Sequence, residues 1–341
     1  MVPRVRAADF RASPERPCVL TDAQAGWAAR TRWRPRELLR SHAEMRWRID
    51  ERREHTVTLR EYLGADADDV ELGVPTATPA TLAQAIRSAA GGYGDEKDVV
   101  APYIFDSSAV STFADDYRAP PTVSAGCLFE TDPSPPTHKW MLIGAAGSGT
   151  PLHVDPLATS AWNALVHGTK LWALFPPKQP RGHVDGERHV DDGPTDDDLL
   201  SASARLTPRQ WFSSFLPLAM GGSGGPRWTG PDPHCILQRS GETVIVPSGW
   251  RHAVLNLELC VGVTHNVAMP RHLPAILALA EGIAPAFARR TAARVSGGVQ
   301  RRRAGDSDES AVSDRGDEHS DSDVSGARNP KRARGSKNQG Q

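Results

Sequence analysis

The chain has 341 residues, 39% of them hydrophobic, so it can bury an ordinary core in one large domain or two small ones. Its formal net charge of −1 predicts no strongly charged partner, because blocks of both signs near the C-terminus offset each other. The four cysteines are too widely spaced for a zinc knuckle or a disulfide framework, which indicates a reducing compartment: Cys18, Cys127, Cys235 and Cys260.

Residues 1–100 are predicted to form a mixed, partly helical region that braces the rest of the fold. A proline near the start of 34–40 and a capping box of Thr58 and Glu61 predict two helices, and 78–86 is a third candidate. These elements carry no chemistry of their own. The arginine-rich stretch Arg46–Arg53 is compatible with nucleic-acid binding, although a solvated strand or helix face is the interpretation we favour.

A histidine and an aspartate lie two residues apart in the segment 149–156. Side chains at positions i and i+2 of a strand point to the same face, so His153 and Asp155 can hold one metal ion together. Iron(II) bound by two histidines and one carboxylate keeps adjacent coordination positions open for a keto acid and dioxygen. The alternative is a pair of side chains that satisfy hydrogen bonds at the end of a strand.

Residues 159–176 predict a hairpin with a glycine-containing turn, followed by an apolar strand. Side chains of a strand alternate between its two faces, so Lys170 shares a face with Trp172 and Leu174. A lysine inside a barrel needs an anionic partner, because an unpaired buried ammonium is very unfavourable. A dicarboxylic co-substrate would supply that anion. The alternative is a lysine whose ammonium reaches solvent at the sheet edge.

Residues 178–234 are predicted to be mainly loop, with a helix over 207–216 that begins at the N-cap Thr207 and Pro208. Four residues of this segment have the chemistry of a second metal site, but a solvated loop is preferred because a glycine-rich segment lacks the necessary rigidity: His183, Asp185, His189 and Asp191.

Residues 241–252 read as a β-branched strand, a Pro-Ser-Gly turn and then His252 at the start of another strand. A double-stranded β-helix presents its distal metal ligand in this setting. His252 is therefore the candidate third ligand.

Residues 271–295 are predicted to be helical, with an apolar stripe formed by Ile276, Leu279, Ala280, Ile283 and Phe287. Residues 296–341 lack Leu, Ile, Met, Phe, Tyr and Trp and are predicted to form a disordered, charged tail. The basic clusters at 301–303 and 330–334 predict an import receptor as partner and a nuclear location, with the cytoplasm as the second choice. Weak RNA binding through the tail is a further expectation. We expect no membrane association, because no apolar run approaches spanning length.

Taken together, the segments around Tyr103, His153, Asn163 and His252 resemble the Jumonji-C oxygenases over most of residues 10–270. The resemblance implies a mainly β fold with flanking α-helices. Its centre would be a double-stranded β-helix, a cupin-like jelly-roll barrel, over 101–270, preceded by the mixed region and followed by the helical region 271–295 and the tail.

The resemblance also implies a ligand set. The iron ligands fall on His153, Asp155 and His252, which makes these three the catalytic positions. The 2-oxoglutarate contacts fall on another set, in which Lys170 holds the distal carboxylate: Thr150, Asn163, Lys170, Thr264 and Tyr103. The implied cofactor is Fe(II), and 2-oxoglutarate and dioxygen are the implied co-substrates.

The implied reaction is hydroxylation of a protein side chain, with lysine in Lys/Arg-rich segments of splicing factors or histones as the leading substrate. Demethylation of N-methylarginine is the second expectation, and a non-oxygenase cupin or a catalytically silent nuclear scaffold remains open. The resemblance implies a homodimer through the C-terminal helices, whereas packing on the body of the same chain is equally compatible with the pattern. Two departures bear on substrate choice: Arg251 replaces the usual aromatic residue before the distal histidine, and 178–234 differs strongly in composition.

Overall fold

The computed structural model describes residues 1–10, 15–49, 55–64, 79–91, 102–177, 201–222 and 231–296. The chain divides into a compact unit, Met1–Ala292, and a second unit, Ala293–Gln341, of which only the first residues are described. Among the described residues, no helix has both the length and the apolar character needed to cross a membrane.

Most of the described strands belong to two sheets. The strands are β1 Arg4–Val5, β2 Cys18–Leu20, β3 Arg46–Arg48, β4 Thr56–Thr58, β5 Tyr103–Asp106, β6 Lys139–Gly144, β7 Gly149–His153, β8 Ser160–His167, β9 Thr169–Phe175, β10 His234–Arg239, β11 Thr243–Val246, β12 Arg251–Asn256 and β13 Cys260–Val267. The larger sheet has the order β1-β2-β11-β8-β13-β6-β5, and the smaller has the order β10-β9-β12-β7.

The two sheets pack face to face, because alternate side chains of both enter one shared apolar cluster. Val244 and Val246 of the larger sheet meet Trp172, Leu174 and Val254 of the smaller sheet there. Nearly all these strands pair antiparallel, with only the short edge pair β1 and β2 parallel. This arrangement is the predicted double-stranded β-helix, and the mainly β fold class is confirmed.

The outer faces of the two sheets are covered by helices. The larger sheet packs against the N-terminal elements and the C-terminal helix. The smaller sheet packs against the helical segments within residues 208–219. Among the described residues, helices and helical turns include Ala29–Arg32, Pro35–His42, Leu59–Leu63, Leu82–Ala90, Ala109–Asp116, Pro121–Ser124, Pro156–Ala158, Pro208–Gln210, Trp211–Phe215, Leu216–Ala219, Pro270–His272 and Leu273–Ile283.

The helix signals of the sequence are confirmed where they can be compared. Proline stands at the first position of Pro35–His42, and Thr58 forms the expected capping box. The third candidate begins at Leu82, later than predicted, because Thr81 forms a capping box with Gln84. Thr207 caps a helical segment that continues through a π-helical turn, Trp211–Phe215.

The arginine-rich stretch begins as strand β3, which pairs with β4, and its remainder lies partly outside the described residues. The candidate second metal ligands at 183–191 and the predicted tail beyond 296 also lie outside them.

The C-terminal segment is helical over Leu273–Ile283 and again over 285–296. Its apolar stripe divides into two parts. Ile276, Ala280 and Phe287 are buried against the body of the chain, whereas Leu279 and Ile283 are 47% and 64% exposed. Packing on the same chain therefore accounts for only part of the stripe.

Candidate metal centre

Two histidines from neighbouring antiparallel strands face each other at one end of the barrel. His153 is the last residue of β7 and lies directly opposite His252 near the start of β12. Their ring centroids are 4.2 Å apart. The barrel therefore brings together two residues that are far apart in sequence.

Asp155 completes the group, although not for the reason expected from strand geometry. β7 ends at His153, and Asp155 lies beyond it as the extended residue before the short helix Pro156–Ala158. Its Oδ1 lies 3.9 Å from Nε2 of His153, and its Oδ2 lies 4.0 Å from Nε2 of His252. One ligand atom from each residue falls within 4.8 Å of the others. Such a group can hold a metal ion.

Hydrogen bonds to the backbone orient both imidazole rings. Nδ1 of His153 lies 2.9 Å from the carbonyl oxygen of Pro151, and Nδ1 of His252 lies 3.1 Å from that of Trp250. A carbonyl can only accept, so each Nδ1 carries a proton and each Nε2 is the ring nitrogen that faces Asp155. Metal-bound histidines in proteins are held in this way.

The protonation and hydrogen-bond state of the site fits a divalent cation. Burial lowers the pKa of His252 to about 4, with the nearby His153 as a smaller cause, so His252 is neutral at physiological pH. Oδ2 of Asp155 is buried and has no hydrogen-bond partner among the described residues, while Oδ1 accepts from Nδ2 of Asn266 at 3.4 Å. A buried carboxylate oxygen needs a partner, and a metal ion would provide one. Two histidines and one carboxylate are the ligand set that suits iron(II).

The backbone after Asp155 is strained. Leu157 and Ala158 adopt left-handed conformations, with φ of 58° and 50°. Such angles are unfavourable for residues other than glycine. The carbonyl of Ala158 accepts a hydrogen bond of 2.7 Å from Ser248, and Leu157 is buried in the core, so surrounding contacts hold the turn in place. Strain of this kind is common at functional sites.

Lys170 lies deep in the barrel, at 1% exposure. Its Nζ is 3.3 Å from the hydroxyl of Tyr103 and 5.8 Å from the centre of that ring. Burial lowers its pKa to about 8, and no carboxylate pairs with it in the described part of the chain. The alternative in which this ammonium reaches solvent is therefore excluded, and the site offers a buried cation for an anion.

Polar side chains lie next to Lys170 in the barrel. Asn256 lies opposite Lys170 in the β12–β9 ladder, and its Nδ2 donates to Oγ of Ser148 at 2.8 Å. A side chain at Gly144 would overlap Asn256, Ser148 and Tyr103, which explains the glycine.

The remaining predicted co-substrate residues lie on both sheets. Thr150 lies opposite Val254, two residues after His252 on β12. A register shift between β7 and β12 therefore places Thr150 on the same face as His153, although the two are three residues apart. Asn163 and Thr264 are direct partners across β8 and β13. Oδ1 of Asn163 is buried without a partner among the described residues, and the Thr264 hydroxyl donates to the carbonyl of Trp162.

Three residues near the site were not predicted from the sequence. Asn266 donates a hydrogen bond to Asp155, and Asn256 lies opposite Lys170 on the neighbouring strand. The ring of Trp172 stacks on that of His252, with the ring centroids 6.0 Å apart. Alternation provides a signal for the first two, since Asn266 follows Thr264 by two residues and Asn256 follows His252 by four on their strands. Arg251 precedes His252 on the same strand and therefore belongs to the opposite face.

Comparison with known proteins identifies the class. The family model described as "Cupin-like domain" matches residues 7–271, which is more than half of the chain. The chain belongs to this family, and its resemblance to the Jumonji-C oxygenases is confirmed.

Named relatives carry activities in their names. The bifunctional arginine demethylase and lysyl-hydroxylase psr-1 of Caenorhabditis elegans is 29% identical over 284 residues, covering 78% of this chain and 59% of the relative. The arginine-specific demethylase JMJ22 of Arabidopsis thaliana is 36% identical over 143 residues, 42% of this chain and 25% of the relative. The 2-oxoglutarate and iron-dependent oxygenase JMJD4 of Homo sapiens is 33% identical over 129 residues, which cover 38% of this chain and 26% of the relative. The chain thus spans less than two thirds of each.

Proposed function

We propose that this chain is an iron(II)- and 2-oxoglutarate-dependent dioxygenase that hydroxylates protein side chains. The observation that carries the proposal is that one barrel contains two buried polar groups that are incompletely paired among the described residues. A buried carboxylate oxygen of Asp155 lacks a hydrogen-bond partner beside the imidazoles of His153 and His252, and the buried ammonium of Lys170 lacks an anion, among the described residues. A metal ion and a dicarboxylate would satisfy both.

The chain's own residues divide the work of binding. His153, Asp155 and His252 would hold iron(II), and Lys170 with Tyr103 would bind the far carboxylate of the co-substrate. His252 and Asn256, the partner of Lys170, are four residues apart on β12, which separates their backbones by about 13 Å at the usual rise per residue. A short dicarboxylate fits within a separation of this size.

When bound, iron(II), 2-oxoglutarate and dioxygen supply the oxidising chemistry: the co-substrate is converted to succinate and carbon dioxide while one oxygen atom enters a C–H bond of the substrate. The barrel contributes apolar surroundings for the candidate metal site. Trp172 and Val254 lie beside His252 in the apolar cluster between the sheets. Exclusion of water there strengthens the attraction between Lys170 and a carboxylate.

Hydroxylation of lysine in Lys/Arg-rich protein segments is the leading reaction. The name of the Caenorhabditis elegans relative supports it, and the same name supports arginine demethylation as the second candidate. The acidic segment Asp185–Asp198 lies outside the described residues, but its sequence would attract basic peptides. Splicing-factor or histone segments are thus proposed substrates, and the tail clusters support a nuclear location through an import receptor. Weak RNA binding and a homodimer stay predictions.

The test is succinate formation by the full chain with iron(II), 2-oxoglutarate and dioxygen, with and without a Lys/Arg-rich peptide. We expect the basic peptide to stimulate succinate formation and to gain one oxygen atom on lysine in mass spectrometry. Loss of a methyl group from arginine would favour the second candidate instead. Stimulation by acidic peptides to the same extent would contradict the electrostatic argument.

Two other classes predict different outcomes of the same assay. A cupin that isomerises or hydrolyses its substrate would release no succinate. A silent scaffold would release none either, and it would keep its protein partners when His153 or Asp155 is replaced.

A further inference from the structure

Tyr117 and His265 form a buried polar pair that the proposed function does not use. The Tyr117 hydroxyl lies 2.8 Å from Nε2 of His265, and both residues are buried. Burial lowers the pKa of His265 to about 2, with Lys139 and His138 as smaller causes, so this imidazole is neutral. A neutral imidazole can accept the phenol proton, while burial raises the pKa of Tyr117 and keeps its proton in place.

A path of hydrogen bonds and covalent bonds connects this pair to the candidate metal centre. Asn266 donates from Nδ2 to Oδ1 of Asp155, a candidate metal ligand, at 3.4 Å. His265 is the preceding residue, so one peptide unit separates the two side chains on opposite faces of β13. The path from Asp155 to Tyr117 thus consists of two hydrogen bonds, joined by the side chains of Asn266 and His265 and the peptide unit between them.

On its other side, the pair contacts a group of indoles. The ring of Tyr117 lies 5.5 Å from that of Trp27 and 5.6 Å from that of Trp33, centre to centre. The indole of Trp33 donates to Oδ2 of Asp116 at 2.9 Å, and Asp116 pairs with Arg32, whose side chain is 67% exposed. Tyrosine and tryptophan are among the side chains most readily oxidised by one electron at neutral pH. The group therefore continues the path toward the surface.

We propose that Tyr117 and His265 form an electron-donor pair that reduces the metal centre when that centre becomes oxidised without a substrate. The inference rests on the proposed function for the source of the oxidant. One electron passes from the phenol to the oxidised iron, which falls by one oxidation level. The phenol proton moves to Nε2 of His265, leaving a neutral phenoxyl radical and an imidazolium. A thiol or ascorbate returns one electron to the radical, and the proton moves back.

The first test uses the metal-free full chain and a one-electron oxidant generated by pulse radiolysis. The chain has four tyrosines, so the radical can be assigned by substitution. We expect a tyrosyl radical, seen by absorption and electron paramagnetic resonance, that is lost in Tyr117→Phe. Tyr62→Phe is the matched control, because the Tyr62 hydroxyl donates to the carbonyl of Pro102 at 2.7 Å, which is not a proton acceptor of useful strength. Persistence of the radical in Tyr117→Phe would overturn the proposal.

His265→Asn tests the role of the proton acceptor, since an amide can bond the phenol but cannot take its proton. We expect radical formation to slow by about 100-fold, the lower end of what a positioned proton acceptor contributes. An unchanged rate would show that the imidazole has no such role.

The second test uses the iron-loaded protein with 2-oxoglutarate and dioxygen but no peptide. We expect Tyr117→Phe to inactivate after fewer turnovers than the unaltered protein and the Tyr62→Phe control, with new oxygen atoms on peptides near the metal centre in mass spectrometry. An equal number of turnovers in all three proteins would refute protection of the centre. Absence of 2-oxoglutarate turnover in all three would contradict the proposed function, and the metal-free test would still decide whether Tyr117 is the preferred site of oxidation.

Discussion

Replacement of Lys170 by methionine should change stability and co-substrate binding in opposite directions. The pKa of this lysine falls from 10.5 to about 8 because of burial, so the fold disfavours the ammonium. At roughly 1.4 kcal/mol per pKa unit, this corresponds to an unfavourable contribution to folding of about 3 kcal/mol at neutral pH. Methionine has a similar length and no charge. Lys170→Met should therefore raise the free energy of unfolding without co-substrate, by up to about 3 kcal/mol.

The same substitution should weaken 2-oxoglutarate binding. A hydrogen bond to a charged group contributes about 1.5–3 kcal/mol, which corresponds to roughly 10- to 150-fold in affinity. Urea unfolding measures the first effect, and calorimetric titration of the metal-loaded protein measures the second. Lys139→Met is the matched control, because Lys139 is partly exposed and pairs with Glu130, so both quantities should change little.

The direction of the pH dependence follows from the same pKa. Because the folded-state pKa of Lys170 is lowered, its destabilising effect is fully present below pH 8 and disappears as the pH rises from about 8 to 10.5. Co-substrate binding needs the ammonium, so the dissociation constant should rise about tenfold per pH unit above 8 in the unaltered protein. A fall in stability and in affinity together in Lys170→Met would refute the reasoning, since it would make Lys170 an ordinary structural residue.

Further substitutions test the metal site and its surroundings. Alanine at any one of His153, Asp155 and His252 should abolish iron-dependent turnover while circular dichroism and the unfolding midpoint stay close to those of the unaltered protein; full activity in any of the three would contradict the ligand assignment. Ala158→Gly should stabilise the fold by about 1 kcal/mol in urea unfolding, because glycine adopts positive φ without strain, and a loss of stability would count against that argument. Asn266→Ala removes the hydrogen bond to Asp155 and should weaken iron binding by about tenfold in a chelator competition, with unchanged affinity as the contrary result.

Local signals in the sequence predicted local structure well. Thr58 and Thr207 cap helices as expected, since a capping box depends on residues three positions apart. Thr81 was missed as a cap because Thr78 and Pro79 offered a competing start. The barrel strands were recognisable because β-branched residues alternate or run together between turn residues.

The geometry of the site depends on contacts that alternation alone does not specify. Strand periodicity predicted that His153 and Asp155 share a face, yet the strand ends between them, and Asp155 lies in extended backbone before a left-handed turn. That turn uses leucine and alanine, and nothing in those residue types indicates positive φ. Asn266 lies 111 residues from Asp155, so its hydrogen bond is visible only once β13 is placed.

Features that disfavour folding are concentrated in one part of this barrel. The orphan oxygen of Asp155, the buried ammonium of Lys170 and the left-handed residues after Asp155 each oppose folding by an amount comparable to a typical destabilising mutation. Surrounding contacts hold the left-handed turn in place, so its strain persists in the folded chain. A metal ion would pair with the carboxylate and a dicarboxylate with the ammonium, so both should stabilise the folded chain when bound. Added together, they should raise the unfolding temperature further than either alone, because they occupy the same barrel and meet different needs.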